Sequence, residues 1–94
     1  MLFRIPHDHP SLAGHFPGRP VVPGVVVLDQ VVAAIQARQG VVPPVRLPQV
    51  KFLAPLLPGE DATIDVAGDG GRWKFTVTRG ATTIATGEIV VPTA

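Results

Sequence analysis

Residues 14–29 read GHFPGRPVVPGVVVLD and place His15 on a loop rich in proline and glycine, which continues into an apolar segment ending at Ile35. Each proline fixes its own φ and keeps the residue before it out of the helical region, so the loop should be stiff. Pro23 and Gly24 indicate the start of a helix, because proline lacks the N–H group that a first turn leaves unsatisfied. The free N–H groups there form a partial positive pole, which suits an oxygen that becomes negative during a reaction.

The apolar segment after the loop is ambiguous by propensity. Residues 21–28 are rich in valine and would suit a buried strand. Residues 28–38 (LDQVVAAIQAR) are mostly helix formers, and Gly40 follows them as a natural stop. We predict a helix from about Val25 to Gln39 that is apolar on nearly all sides and therefore central in the fold. On this helix Asp29 has apolar neighbours three and four residues away and no lysine or arginine in local reach.

Two interpretations of Asp29 and His15 stay open on the residues alone. An isolated aspartate early in a helix is usually a capping or dipole-compensating residue, and an isolated loop histidine is usually solvated or structural. A carboxylate among apolar neighbours would instead need a hydrogen-bond donor from elsewhere, or a raised pKa that keeps it protonated, as suits a catalytic acid. The proline and glycine loop between the two residues favours the catalytic interpretation.

The rest of the chain predicts short strands joined by turns. Strands are expected at residues 2–5, 49–53, 61–67, 72–79 and 82–91. RWKFTVTR (72–79) alternates polar and apolar residues like a strand with one wet face, which places Trp73 in the core. GDGG (68–71) is a strong hairpin turn signal. One helix followed by an antiparallel meander is consistent with an α+β fold in which a sheet wraps around the helix.

Composition limits the class of protein. The 94 residues allow one domain, which we expect to span 1–94 and to bury a limited share of its surface. Hydrophobic residues make up 46% of the chain and charged residues only 16%, so the excess apolar surface needs a partner or a ligand, and a dimer would help. A net charge of +1 gives no sign of nucleic-acid binding, and the lack of cysteine excludes a disulfide scaffold and thiol chemistry. Since neither a signal peptide nor a membrane span is evident, we expect a cytoplasmic protein.

His7, Asp8 and His9 lie close enough in sequence to suggest a metal site. No second cluster of ligands follows, and the spacing fits no zinc signature. We therefore predict no metal site, and Asp8 or Ser11 is better explained as a turn cap.

The run GHFPGRPVVPGV (14–25), with an acid fourteen residues after the histidine, resembles the active-site segment of the 3-hydroxyacyl-acyl-carrier-protein dehydratases. VKFLAPLLPGE (50–60) resembles the strand and turn that lead into that family's C-terminal strands, so the resemblance covers most of the chain. One major branch of the family carries glutamate where this chain has Asp29. The aspartate and the short length most resemble the aryl-polyene-type thioester dehydratases. The helix and early strands that usually precede the loop are nearly absent. The resemblance implies a hot-dog fold, an antiparallel sheet wrapped around one central apolar helix.

The resemblance also implies an activity, dehydration of 3-hydroxyacyl thioesters on acyl carrier protein to trans-2-enoyl thioesters in fatty-acid or polyene-type synthesis. His15 would be the base, Asp29 would donate a proton to the departing 3-hydroxyl group, and the backbone N–H of Gly24 would bind the thioester oxygen. No metal or organic cofactor is needed, because the elimination requires only a base, an acid and an oxyanion donor; the substrate would be carried on phosphopantetheine. The loop or substrate tunnel would further include Phe16, Pro17, Gly18, Pro23 and Val25.

The implied partners are acyl carrier protein and a second copy of the chain. The resemblance implies a homodimer or higher oligomer with sites at the subunit interface, where the loop histidine of one subunit faces the helix acid of the other. Docking of an acidic carrier would use Arg19, Arg38 and Lys51, with Arg72 as a further candidate. These residues are otherwise ordinary solvated charges.

Three alternatives remain for the function. A hot-dog acyl thioesterase would share the fold and the helix acid, but the loop with its histidine, proline and glycine argues against it. A non-catalytic hot-dog subunit that binds the acyl carrier is favoured by the short N-terminal region. A purely structural domain would leave the placement of His15 and Asp29 unexplained.

Overall fold

The computed structural model describes residues 1–6, 21–40, 45–69 and 71–91. In these ranges the elements follow the order β1 (Leu2–Arg4), α1 (Gly24–Gln39), β2 (Arg46–Phe52), β3 (Asp61–Asp69), β4 (Arg72–Arg79) and β5 (Thr82–Val90). The strands form one antiparallel sheet in the order β1-β3-β4-β5-β2. The structure therefore has the α+β architecture that the sequence predicts.

Helix α1 is bounded by a proline and a glycine. The carbonyl oxygen of Pro23 accepts hydrogen bonds from the N–H groups of Val26 (3.0 Å) and Val27 (3.3 Å). Gly40 ends the helix with a φ of 87° and donates its N–H to the carbonyl oxygen of Gln36 at 2.8 Å. Glycine adopts this φ without the steric cost that a side chain would add. The predicted bounds of the helix are confirmed within one residue.

The two sides of α1 have different surroundings. The side that faces the sheet is formed by the buried residues Val26, Val27, Val31, Ala34 and Ile35. On the other side Val25 is 65% exposed, and Asp29 and Ala33 are exposed with it. A single sheet covers one side of a helix, so the other side of α1 exposes Val25 and Ala33 beside Asp29 and has fewer charges than solvent-facing helices usually carry.

Strand β4 confirms the alternation read from the sequence. Trp73, Phe75 and Val77 are buried, and the residues between them are exposed or half-buried. The indole N–H of Trp73 donates to Gln39 Oε1 at 3.1 Å, which ties the last residue of α1 to the sheet. The Arg38 guanidinium lies 5.8 Å from the centroid of the same ring, within the range of a cation–π contact.

Strand β3 is longer than predicted because it includes two residues of the presumed turn. Gly68 pairs with Trp73 and Asp69 pairs with Arg72, so the ladder continues through the first half of GDGG. Gly68 has a φ of 150°, and a Cβ atom there would lie 2.9 Å from the Cα of Trp73. The glycine is needed for this close approach of two strands, which a turn signal does not reveal.

Strand β2 is an edge strand paired with β5 instead of its sequence neighbour β3. It begins three residues earlier than predicted and includes Pro48, with an irregular register between Arg46 and Gln49. Proline is tolerated there because an edge strand has one side without ladder hydrogen bonds. Of the helices in the described ranges, none is both long and apolar enough to cross a bilayer.

Candidate active site

The N-terminus of α1 has backbone donors without partners. The N–H groups of Val26 and Val27 both reach Pro23, whereas those of Gly24 and Val25 have no acceptor among the described residues. The first N–H groups of a helix carry its partial positive charge. Among the described residues, nothing accepts the N–H of Gly24, which the sequence predicts to be an oxyanion donor.

An apolar cavity of about 520 Å³ lies beside these donors. It is lined by Val21, Val22, Gly24, Val27, Phe52, Leu53, Ala54, Pro55, Leu56 and Ile84. A volume of this order, with apolar walls and a few polar groups, is typical of sites for small organic ligands. The cavity can therefore hold an apolar group next to the start of the helix.

The cavity wall is held in place by hydrogen bonds between segments distant in sequence. Val22 N–H donates to Leu56 O at 2.8 Å, and Leu53 N–H donates to Ile84 O at 2.8 Å. A side-chain donor, Arg79 Nη1, reaches Pro55 O at 2.7 Å and Glu60 Oε1 at 3.1 Å. These bonds fix the segment between β2 and β3 against β5 and against the residues that precede α1.

Gly24 is in contact with Phe52 of β2. A Cβ atom on Gly24 would lie 2.7 Å from Phe52 Cζ and 3.1 Å and 3.2 Å from the two neighbouring ring carbons. Such a distance is too short for a real side chain, so the aromatic ring occupies the space that any other residue at position 24 would need. The sequence predicted that Gly24 starts the helix but did not show which residue packs against it.

Asp29 does not share the cavity with Gly24. It lies on the exposed side of α1, between Val25 and Ala33, and its carboxylate makes no hydrogen bond with the described residues. Of the apolar neighbours that the sequence predicted, Val25 and Ala33 are exposed as well, whereas Val26 is buried and Val32 is half-buried. The described part of one chain therefore does not enclose Asp29, and it leaves Val25 outside the cavity although the sequence had assigned it to the tunnel.

Several predicted site residues lie outside the described ranges. They are His15, Phe16, Pro17, Gly18 and Arg19, together with His7, Asp8 and His9, which were considered as metal ligands. Pro23 caps the start of α1 and does not line the cavity. Within residues 1–6, 21–40, 45–69 and 71–91, no three histidine, aspartate or glutamate side chains come together as metal ligands.

The three described basic residues that were proposed for carrier docking lie in different surroundings. Arg38 packs on Trp73 and donates to Val66 O at 3.3 Å, so its guanidinium stabilises the end of α1. Lys51 is exposed on the outer face of the sheet, where it borders a shallow depression with Lys74. Arg72, on the same face, pairs with Glu88 at 3.3 Å.

Comparisons with known proteins agree with the sequence motif. Residues 1–88 match the sequence model of the ApeI-like family, described as ApeI dehydratase. The 3-hydroxyacyl-[acyl-carrier-protein] dehydratase FabZ of Geobacter metallireducens is 36% identical over 81 residues, which cover 72% of this chain and 54% of that protein. FabZ of Verminephrobacter eiseniae is 34% identical over 82 residues, covering 72% and 55%. The chain thus spans about half the length of the curated relatives it matches.

Two solved structures share the fold. The dehydratase heterocomplex ApeI:P from Xenorhabdus doucetiae superposes with a TM-score of 0.83 at 24% identity, covering 98% of this chain and 84% of that chain. A mutant of the fluoroacetyl-CoA-specific thioesterase FlK has a TM-score of 0.60 at 18% identity, covering 98% and 89%. The predicted hot-dog fold is therefore confirmed. Since the family match covers nearly the whole sequence, the chain belongs to the ApeI-like dehydratase family.

Proposed function

We propose that this chain dehydrates 3-hydroxyacyl thioesters carried on acyl carrier protein to trans-2-enoyl thioesters, as a hydro-lyase of fatty-acid or aryl-polyene-type synthesis in the cytoplasm. The observation that carries the proposal is the Gly24 N–H at the start of α1, which has no acceptor in the described part of the chain and lies beside an apolar cavity. Membership of the ApeI-like family and the likeness to FabZ proteins support the same reaction.

The proposed reaction removes one water molecule from the substrate. His15 takes a proton from the carbon next to the thioester carbonyl, and the electron pair shifts toward the carbonyl oxygen, where the Gly24 N–H stabilises the negative charge. The carbon–carbon double bond then forms as the bond to the 3-hydroxyl group breaks. Asp29 protonates the departing hydroxyl group, which leaves as water. These steps need a base, an acid and an oxyanion donor, so we propose that no cofactor takes part.

We propose that the working form is a homodimer or a higher oligomer. Leu47, Phe52 and Leu53 are 42%, 50% and 59% exposed at or beside the edge strand β2, whose outer side has unpaired backbone groups. The exposed apolar side of α1 adds Val25 to this surface. An edge strand and an apolar surface of this kind are usually covered in a native assembly. A second subunit would also supply the enclosure that the described part of one chain does not give Asp29.

The second subunit can be another copy of this chain or a different protein. The Xenorhabdus structure is a heterocomplex, which makes a different subunit the alternative occupant. Among the candidates for carrier docking, Lys51 remains available in the described structure, whereas Arg38 is engaged with Trp73. We therefore expect a charge reversal at Lys51 to weaken carrier binding more than one at Arg38.

The test measures the change in ultraviolet absorbance when the purified protein is mixed with a short 3-hydroxyacyl thioester on a carrier protein. We expect enoyl thioester to form with the wild type, and to form far more slowly with His15→Ala and with Asp29→Asn. Losses of only a few-fold in both variants would refute the assigned roles. Release of free thiol would indicate a thioesterase, and carrier binding without product would indicate a non-catalytic subunit that needs a missing partner.

A further inference from the structure

The contact between Phe52 and Gly24 joins the edge strand to the oxyanion donor. Phe52 pairs with the buried Ala85 in the β2–β5 ladder, so its side chain projects to the same side of the sheet as α1. Its ring reaches the first residue of the helix and also forms part of the cavity wall. One aromatic side chain therefore lies against Gly24 and against the space where we place the substrate.

A ring in this position changes the surroundings of the Gly24 N–H group. An aromatic ring against the backbone displaces water from that side of the helix start and lowers the local dielectric constant. A hydrogen bond to a developing oxyanion is worth more where water is excluded and the donor is held in place. The side chain of Phe52 has no polar atom, so it takes no direct part in the reaction.

We propose, on the basis of the dehydratase function above, that Phe52 is a positioning residue for the oxyanion donor. Its ring holds the start of α1, and with it the Gly24 N–H, in place. The same ring requires glycine at position 24, since a Cβ atom would collide with Cζ. Phe52 and Gly24 are therefore a matched pair, in which a change at one position alters the effect of a change at the other.

The first prediction of this proposal separates kcat from KM. Phe52→Ala removes the ring and should lower kcat about tenfold or more. This loss is smaller than the loss expected when an oxyanion donor itself is removed. KM for a short acyl thioester should change by less, because the rest of the cavity wall remains. Leu57→Ala is the control, since Leu57 is also exposed but neither lines the cavity nor is among the nearest atoms to Gly24.

The second prediction is reciprocal rescue. Gly24→Ala should lower kcat because the new methyl group displaces the ring, whereas the double variant with Phe52→Leu should recover much of that loss. If the two sites were independent, the change in kcat of the double variant would equal the product of the two single changes to within about twofold. Phe52→Tyr keeps the ring and should retain kcat close to the wild type, which a general loss of stability at this position would not predict.

The experiment is steady-state dehydration by the wild type, the five single variants, which include Phe52→Leu alone, and the double variant, with the mass of the assembly measured for each. A drop in kcat for Phe52→Ala with an unchanged assembly, together with rescue in the double variant, would support the proposal. An unchanged kcat, multiplicative effects, or a loss explained by dissociation of the assembly would overturn it. A wild type that forms no enoyl thioester would instead refute the proposed function, and the contact could then still be measured by the same double-variant cycle on unfolding.

Discussion

The two ends of α1 differ in how their backbone groups are satisfied. At the C-terminal end Gly40 closes the last turn, Gln39 accepts the Trp73 indole N–H, and Arg38 lies over the same ring. At the N-terminal end Gly24 and Val25 have N–H groups without acceptors among the described residues, and a cavity lies beside them. The helix is therefore anchored at its C-terminal end, while its first N–H groups have no acceptor in the described ranges and can serve the oxyanion role that we propose.

The largest expected effect is on the chemistry near the N-terminal end. Asp29→Asn should lower kcat by about 10²- to 10⁴-fold, because an amide cannot donate the proton that a carboxylic acid provides. The free energy of unfolding should hardly change, since Asp29 is exposed and makes no hydrogen bond with the described residues. Urea unfolding and enoyl thioester formation would be measured together, with Asp65→Asn as a control at another exposed carboxylate. Equal losses of activity in the two variants would contradict a specific role for Asp29.

The opposite pattern is expected at the anchored end. Trp73→Phe keeps a ring in the core but removes the donor to Gln39, and should cost about 1 to 3 kcal/mol of unfolding free energy. The kcat of the folded protein should stay close to that of the wild type, because Trp73 is at the other end of the helix. Gln39→Leu, which removes the acceptor instead, tests whether the hydrogen bond itself carries the effect. A fall in kcat without a fall in stability would break the comparison between the two ends.

A smaller effect is expected from the turn that ends the helix. Gly40→Ala puts a side chain on a residue with a φ of 87° but brings no other atom within 4 Å of the new Cβ. The cost is therefore conformational and should be about 1 kcal/mol. Thermal unfolding would measure it, with Gln36→Ala as an exposed control in the same turn. Activity at a temperature well below the transition should be unaffected.

The smallest expected effect lies away from both ends, at the pair of Arg4 and Asp61. Arg4 Nε donates to Asp61 Oδ1 at 2.7 Å, and this hydrogen bond, with the charge of Arg4, lowers the pKa of Asp61 below its ordinary value. The stability contributed by Asp61 should then be complete above about pH 4, the ordinary range for aspartate, and be lost as the pH falls through the lower native pKa. Both side chains are exposed, so the contribution should be small and should weaken further with added salt.

This pH dependence would be measured as the difference in unfolding free energy between the wild type and Asp61→Asn across the acid range. We expect the difference to shrink as the pH falls, because the unfolded chain binds the proton before the native one does. A difference that grows toward low pH would mean that the native state raises the pKa of Asp61.

Local pattern predicted the elements better than their arrangement. The bounds of β4 and α1 follow from alternation in RWKFTVTR and from the proline and glycine that flank the helix, and both signals act within a few residues. The pairing of β2 with β5 could not be read from the sequence, because it joins segments separated by two other strands. The inclusion of Gly68 in β3 was missed for a related reason, since the need for glycine there comes from the facing Trp73.

The same limit applies to the candidate site. The sequence identified Gly24 and Asp29 from a motif that occupies one short segment, and the structure places both on α1. The ring of Phe52 against Gly24 depends on the edge strand, which no local pattern connects to the helix start. The exposure of Asp29 depends on how much of the helix a single sheet can cover. Both features follow from the order of strands across the sheet.

The position of β2 beside β5 also constrains the order in which the protein folds. During synthesis β2 emerges before β3, β4 and β5. Its neighbour in the described sheet is β5, so β2 cannot pair with it until β5 has been synthesised. Pairing over such a separation is slow, because the intervening chain loses entropy before the contact forms. During this interval Phe52 has no sheet to position it against the helix, and the hydrophobic residues around β2 are open to association with other nascent chains. The wall of the cavity is thus expected to be among the last parts of the protein to assemble.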